Sequence, residues 1–239
     1  MASRRFKQIF LFRFFTYFSI ITGVVMVLAQ FGPVLAVELS YRLDQAIGKK
    51  RVVAEGVVPQ NTGDQSPIPT MSGEPLPSSA GFGQIEDNEN VIKPVSTDYG
   101  LVIEKINANA KIVGDVDPAN DAEYTEALKE GIAAAKGSTL PGEDGNLFLF
   151  SHSTDAPWNI IRYNAIFYLL RELESGDRVI VFYKGRRFDY IVFDKHVTSP
   201  LDISFLTNRY DRPVLTLQTC DPPGTVLNRL IVRAKLAGT

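Results

Sequence analysis

Between Phe14 and Val37 the chain runs for 24 residues without an Asp, Glu, Lys or Arg. As a helix this run would be roughly 36 Å long, enough to cross a hydrocarbon core of about 30 Å with some tilt. Pro33 lies near its far end, where a bend is expected. Arg4, Arg5, Lys7 and Arg13 precede it. That basic flank predicts a cytoplasmic segment over 1–13, a single-pass transmembrane anchor over 14–37, and everything after Glu38 outside the cell membrane. A cleaved signal peptide and a buried core helix are the competing readings. The run exceeds a normal signal h-region, Val34-Leu35-Ala36 only weakly matches a small-residue cleavage site, and core helices rarely need so long an uncharged stretch. The uncleaved anchor is favoured.

Beyond the anchor, 38–97 divides in two. Glu38 to Val53 places Leu43, Ala46 and Ile47 at roughly helical spacing among charges, which predicts a short juxtamembrane helix. From Gly56 to Thr97, Pro59, Pro67, Pro69, Pro75, Pro77 and Pro94 are interleaved with Gly, Ser, Asn and acidic residues. Such a stretch cannot bury a core and reads as a linker, with a reach of roughly 35 Å if it behaves as a free coil.

The folded domain is expected over 98–239. Tyr99, Leu101 and Ile103 alternate as in a strand, and Ile112-Val113 continues the sheet. Ala122 to Lys136 reads as a helix weakened at Gly131. Asn146 to Ser151 is a buried strand leading to His152, and Ile160 to Leu173 has helical spacing up to the stop at Ser175-Gly176-Asp177. Arg178 to Tyr183 and Phe188 to Val197 form a hairpin across Lys184-Gly185-Arg186-Arg187. Val214 to Cys220 and Arg229 to Ala234 are the last two strands. Many short strands with close turn signals and few helices predict a mainly β barrel or sandwich.

With 25 Lys and Arg against 27 Asp and Glu, the net charge is -2, which provides no basic face for nucleic acid. Cys220 is the only cysteine, so it has no partner for an internal disulfide and either packs or reacts. Strand alternation puts Leu215, Leu217 and Thr219 on one face and Thr216, Gln218 and Cys220 on the other. The aliphatic face takes the core, which leaves Cys220 at a strand end on the more polar face. A cysteine nucleophile needs a thiolate and a proton donor for the leaving group. His152 and His196 are the only histidines. His152 ends an apolar strand and opens Ser153-Thr154-Asp155, a position from which functional side chains commonly project, and it is preferred. If the last two strands pair, Arg229 approaches Cys220 and offers a charged donor for a developing oxyanion. Arg233, on the same strand, is expected to be a solvated surface arginine.

Thr216-Leu217-Gln218-Thr219-Cys220, His152 after a hydrophobic strand, and Arg229 opening Arg-Leu-Ile-Val together resemble the sortase signature. The likeness extends through Glu123-Tyr124 to Gly131, Thr139 to Glu143 and Gly145-Asn146, and covers about Tyr99 to the end. It implies an eight-stranded β-barrel with short helices and a cysteine transpeptidase in which Cys220 attacks, His152 serves as general acid and then base, and Arg229 steadies the oxyanion or orients substrate. Gln218 and Thr219, beside the nucleophile, are the candidate substrate-binding residues. The implied partners are surface proteins or pilins with a C-terminal sorting motif, and an amine from a cell-wall precursor or a pilin lysine. No nucleotide or redox cofactor is implied. No acidic site matches that of the calcium-dependent members, so no metal is carried over.

Gln218 stands where many relatives carry an aliphatic residue, and Ser151 stands where glycine or alanine is common. No Asp-Pro-aromatic lid segment is visible upstream, so no class is assigned. Three alternatives remain: a protease-like relative that releases the thioacyl intermediate to water, another cysteine transpeptidase, and a membrane-tethered barrel that only binds. The Ser-x-Gly-Cys of L,D-transpeptidases is absent.

Overall fold

A computed structural model describes residues 4–53, 90–153 and 166–238. Most of the expected linker, the Thr154-Asp155 part of the loop after His152, and the first part of the expected helix over Ile160 to Leu173 lie outside the described residues.

Helix α1 (Arg4–Ala46) is a single element. It runs past Pro33 and absorbs most of the predicted juxtamembrane helix. Gln8–Ala29 is long and apolar enough to cross a membrane, and nothing in the structure buries it. This stretch begins and ends earlier than the charge-free run. Beyond it, Val37 and Tyr41 pack against the main core. Glu38 pairs with Arg171 at 3.2 Å and Asp44 with Arg51 at 2.5 Å.

Two short strands, β1 (Val52–Val53) and β2 (Val91–Ile92), pair in parallel. They cover Val102, Ile180 and Phe182 on the outside of the barrel. The barrel strands are β3 (Tyr99–Ile103), β4 (Ala108–Val116), β5 (Ile132–Ala135), β6 (Gly145–Phe150), β7 (Arg178–Tyr183), β8 (Arg186–Thr198), β9 (Pro213–Asp221) and β10 (Asn228–Leu236). They close in the order β10-β8-β7-β3-β4-β5-β6-β9, with β9 returning to β10. The eight-stranded barrel that the family resemblance implies is therefore present, and of the barrel and sandwich left open by the strand pattern it is the barrel that forms. Its interior is filled by alternate residues of every strand, among them Leu101, Ile112, Leu147, Val181, Tyr190, Leu217 and Val232.

Helix α2 (Asp121–Glu130) starts at Asn120, whose side chain accepts from the Glu123 amide. It ends before Gly131, and here the structure corrects the sequence reading. Ile132–Ala135 is not a continuation of the helix but strand β5, parallel to β4. A run of alanines favours helix in isolation. In the barrel those small side chains fit two tight faces: Ile132 and Ala134 point inward, while Ala133 and Ala135 pack with Ala127 and Leu128 of α2. Gly131 permits the change of direction, since a Cβ there would lie 2.3 Å from the Lys111 carbonyl oxygen.

The second helical expectation also needs revision. Within its described part, residues 166–169 form turns and Leu170–Glu172 a single 3₁₀ turn. The β7–β8 hairpin turns on Lys184 and Gly185, both with positive φ, the conformation that matches the twist of a two-residue hairpin. A four-residue helix, α3 (Ser204–Thr207), lies in the β8–β9 connection.

Candidate active site

The site is assembled by three neighbouring strands on the outer face of the barrel. Leu215 and Leu217 of β9 are fully buried in the interior, which turns Gln218 and Cys220 outward as alternation requires. β6 runs parallel to β9 with Phe150 opposite Gln218. Two residues further along the same register, His152 comes level with Cys220. The end of β6 is fastened to β9 twice: the Ser151 amide donates to the Gln218 carbonyl at 3.2 Å, and the Thr219 hydroxyl donates to the Ser151 carbonyl at 2.9 Å.

β10 lies antiparallel on the other side of β9, and Arg229 is the direct cross-strand partner of Cys220. The Arg229 Nη1 atom is 3.6 Å from Cys220 Sγ and also donates to the Asn228 carbonyl at 3.3 Å. Both hydrogen bonds use one nitrogen, so the rest of the guanidinium fork remains to meet a substrate oxygen. Cys220, Arg229 and His152 are each partly exposed.

All three line one cleft of about 430 Å³, together with Gln218 and Thr219. Its other walls are Tyr124 and Leu128 of α2, Phe148 and Phe150 of β6, Pro200, Asp202, Ile203 and Leu206 before β9, and Val226 before β10. The cleft thus mixes apolar walls with polar ones, and carries a thiol, an imidazole and a guanidinium. Asp121 of α2 and Asp202 supply its acidic edges. The Thr198 hydroxyl donates to Asp202 at 2.7 Å and the Ser204 amide at 3.0 Å. A hydrogen bond from the Ser204 side chain first, then those from Thr198 and the Ser204 amide, hold the Asp202 carboxyl below the ordinary carboxylate range.

The two proposed substrate contacts differ. Gln218 is half-buried and turns to the cleft, whereas Thr219 is buried and its hydroxyl is used by the Ser151 carbonyl. Thr219 therefore bears on the site through the backbone that carries His152. The Ser151 and Ser153 hydroxyls, which flank His152, are buried and have no hydrogen-bond partner among the described residues, a burial that the polar sequence around His152 does not reveal.

His196 is not in the cleft. It lies on β8, with β10 between it and β9, and its register partner is Ile231, itself opposite Gln218. Strand spacing sets it roughly 12 Å from Cys220 by backbone. Its Nε2 atom is 2.8 Å from Asp194. Arg233 departs from its expected solvated state. It pairs with Asp194 through both Nε and Nη2, the first at 2.7 Å, and donates to the Tyr210 hydroxyl at 3.1 Å. Burial alone would raise the Asp194 pKa, but the Arg233 hydrogen bonds and charge, with a smaller part from His196, outweigh it and hold the group below its ordinary value. Among the described residues no group of three His, Cys, Asp or Glu side chains is placed to hold a metal ion.

A closed eight-stranded barrel with a cysteine at the end of one strand, an arginine opposite it on the next and a histidine at the end of a parallel third defines a class of cysteine-centred barrel. The family model for the sortase domain matches residues 101–237, and the chain belongs to the sortase family. It is 29% identical over 138 residues to sortase D of Bacillus subtilis, a match that spans 56% of this chain and 61% of that relative's length. Among solved structures it is similar to sortase C-1 of Actinomyces oris, with a TM-score of 0.51 at 25% identity over 61% of this chain and 75% of that one. It is also similar to sortase A of Corynebacterium diphtheriae, with a TM-score of 0.50 at 25% identity over 63% and 64%.

Proposed function

We propose that this chain is a membrane-anchored cysteine transpeptidase of surface-protein sorting. Cys220 Sγ attacks a backbone carbonyl carbon in a C-terminal sorting motif, the threonine carbonyl by family resemblance, and forms the C–S bond of a tetrahedral intermediate. Arg229 steadies the oxyanion of that intermediate. When the C–N bond breaks, His152 protonates the departing amine and a thioacyl-enzyme remains. An acceptor amine then attacks the thioester, His152 takes its proton, and the Cys220 thiolate leaves. Atoms balance with no cofactor: one amide is exchanged for another. The acceptor is an amine of the cell wall or a pilin. In this reading α1 spans the membrane with its N-terminus in the cytoplasm, and 98–239 acts outside.

The observation that carries the proposal is the Cys220–Arg229 pair across β9 and β10, 3.6 Å from Nη1 to Sγ, in a cleft that His152 also lines. A packed cysteine has no use for an arginine at its thiol and a histidine in the same cleft, whereas a nucleophile that must generate and then shed an oxyanion uses both.

The test is a panel of sorting-motif peptides incubated with the full chain and an amine acceptor. Ligated product supports transpeptidation. Hydrolysed peptide alone would assign the protease-like alternative. Turnover that survives Cys220→Ala would remove the mechanism, and a chain that binds peptides without cleaving them would be a tethered binding module.

A further inference from the structure

The outer face of β8 and β10 carries a cluster that the reaction does not use. Besides its bonds to Asp194 and Tyr210, Arg233 is stacked: its guanidinium carbon lies 5.3 Å from the Phe193 ring centre and 5.5 Å from that of Phe205. Phe193 reaches this face because the register slips between Arg233 and Ala234. Arg233 pairs with Asp194 and Ala234 with Val192, which makes Phe193 the extra residue of a bulge. The His196 ring lies 5.7 Å from that of Phe205.

Phe205 belongs to α3, and its backbone is held as well. Its carbonyl accepts from Asn146 Nδ2 at 2.9 Å, and Asn146 Oδ1 in turn accepts from the Thr216 hydroxyl at 2.7 Å. Asn146 and Thr216 are buried. Phe205 is thus gripped by its ring from the barrel face and by its carbonyl from the barrel wall. The residues on either side of that grip, Ile203 and Leu206, are walls of the cleft that holds Cys220. Ile203 is 64% exposed, so packing does little to set where it stands; this grip and the Asp202 bonds to Thr198 and Ser204 do.

We propose that Arg233, with Asp194 and His196, is a clasp that positions α3 as one wall of the substrate cleft and so sets affinity for the sorting peptide without touching it. The inference rests on the transpeptidase reading for its substrate, though not for its geometry. The bonds converge on one short helix between two barrel strands. Removing the guanidinium leaves Asp194 with His196 alone and takes the cation from both rings. Phe205 then keeps its carbonyl bond, the His196 ring and its packing on the cluster of Phe148 and Phe150 but loses the stacked cation, and α3 tilts away from the cleft more readily. Arg233 stands four residues along β10 from Arg229, the cross-strand partner of Cys220, and chemistry at Cys220 continues.

The experiment compares Arg233→Met, Arg233→Lys and Phe205→Leu with the wild-type chain and with Lys235→Ala, an exposed residue of the same strand. Arg233→Met raises KM for the peptide about tenfold, in the range expected of a residue acting through another, and kcat stays within about threefold. Arg233→Lys, which keeps the charge but not the fork, falls between. Phe205→Leu shifts KM in the same direction without disturbing the Asp194 pair, and Lys235→Ala changes nothing. Amide exchange is measured alongside. The Leu206, Thr207 and Asn208 amides, which bond to the Ile203 and Ser204 carbonyls, exchange faster in Arg233→Met, while those of β9 do not.

A kcat loss at unchanged KM overturns the clasp, and so does unaltered exchange over α3. If the wild-type chain processes no sorting peptide, the transpeptidase reading fails on its own, and the exchange result still decides whether the clasp exists.

Discussion

Arg229→Ala tests the chemistry most directly. In the structure the side chain makes two hydrogen bonds, both from Nη1, one to the Cys220 sulfur at 3.6 Å and one to the neighbouring Asn228 carbonyl at 3.3 Å. Only the first crosses to another strand, β9, which backbone pairing already holds against β10, so truncation leaves the fold intact and removes a charged donor from beside the thiol. Loss of one oxyanion donor costs about 2.7 to 4 kcal/mol, or roughly a hundredfold to a thousandfold in kcat. The cleft is open to solvent on the Val226 side, where that residue is 74% exposed, so the lower end, about a hundredfold, is expected. Arg229→Lys keeps one positive charge without the planar fork and falls between the alanine variant and wild type. The assay is kcat and KM for peptide ligation to an amine, with thiol titration to count competent sites and thermal melts to confirm folding. Arg233 cannot be the control, because its bonds to Asp194 and Tyr210 tie it to the cleft wall. Lys235→Ala is the proper one. A loss under tenfold in Arg229→Ala, or an equal loss in Lys235→Ala, refutes the role.

Three other outcomes follow from particular contacts. His152→Ala abolishes turnover whereas His196→Ala retains kcat, since only His152 shares the cleft with Cys220; the reverse result in steady-state assays would reassign the acid and base. Thr216→Val leaves the buried Asn146 carbonyl oxygen without its 2.7 Å donor and lowers stability by about 1 to 3 kcal/mol in urea titration; a change below about 0.5 kcal/mol would mean that the pair is not buried as described. Burial pushes the Tyr190 phenol up to about 12, against a smaller opposing effect of the Gly142 amide that donates to it. Because the folded pKa lies above the ordinary value of 10, this contribution is fully present below pH 10 and is lost between about pH 10 and 12. It amounts to about 3 kcal/mol. Tyr190→Phe flattens the fall of stability across that window, and an unchanged slope in melts from pH 9 to 12 would contradict the assignment.

What the sequence shows of this protein is what alternation and turn chemistry encode. β9 was legible because Leu215, Leu217 and Thr219 alternate with polar residues, and that alternation alone turned Cys220 out of the core. Arg229 was legible only conditionally, since its approach to Cys220 depends on β9 and β10 pairing in the observed register. β5 was hidden because Ile-Ala-Ala-Ala carries no strand signal of its own. Its conformation is imposed by parallel pairing with β4 and by the fit of α2 over Ala133 and Ala135. The surroundings of Arg233 were out of reach for a different reason. They need a bulge at Phe193, a cross-strand pair with Asp194 and a ring 28 residues away in sequence, Phe205, none of which leaves a local pattern.

The segment before the barrel bears on how far the site stands from the apolar helix. A coil over Gly56 to Thr97 would have made that distance long and variable. The structure attaches the barrel differently. Val52 and Val53 pair with Val91 and Ile92, the Val53 amide donates to Glu104 at 2.8 Å, and Val37 and Tyr41 of α1 pack on the barrel core. The residues that flank 54–89 are therefore held side by side, and the length between them has no purchase on where the barrel sits. The connection that counts is α1 itself. From Ala29, where its apolar stretch ends, to Tyr41 is about 18 Å of helix. Deleting about twenty residues between positions 60 and 85 is accordingly expected to leave both the melting temperature and ligation to a membrane-borne amine unchanged. Tyr41→Ala together with Glu38→Ala removes packing and an ion pair from the seat and lowers stability by about 1 to 3 kcal/mol, mostly through the tyrosine because an ion pair so placed contributes at most about 1. If the deletion lowers the melting temperature and the seat variant does not, the barrel hangs on its linker after all and α1 is only a tether.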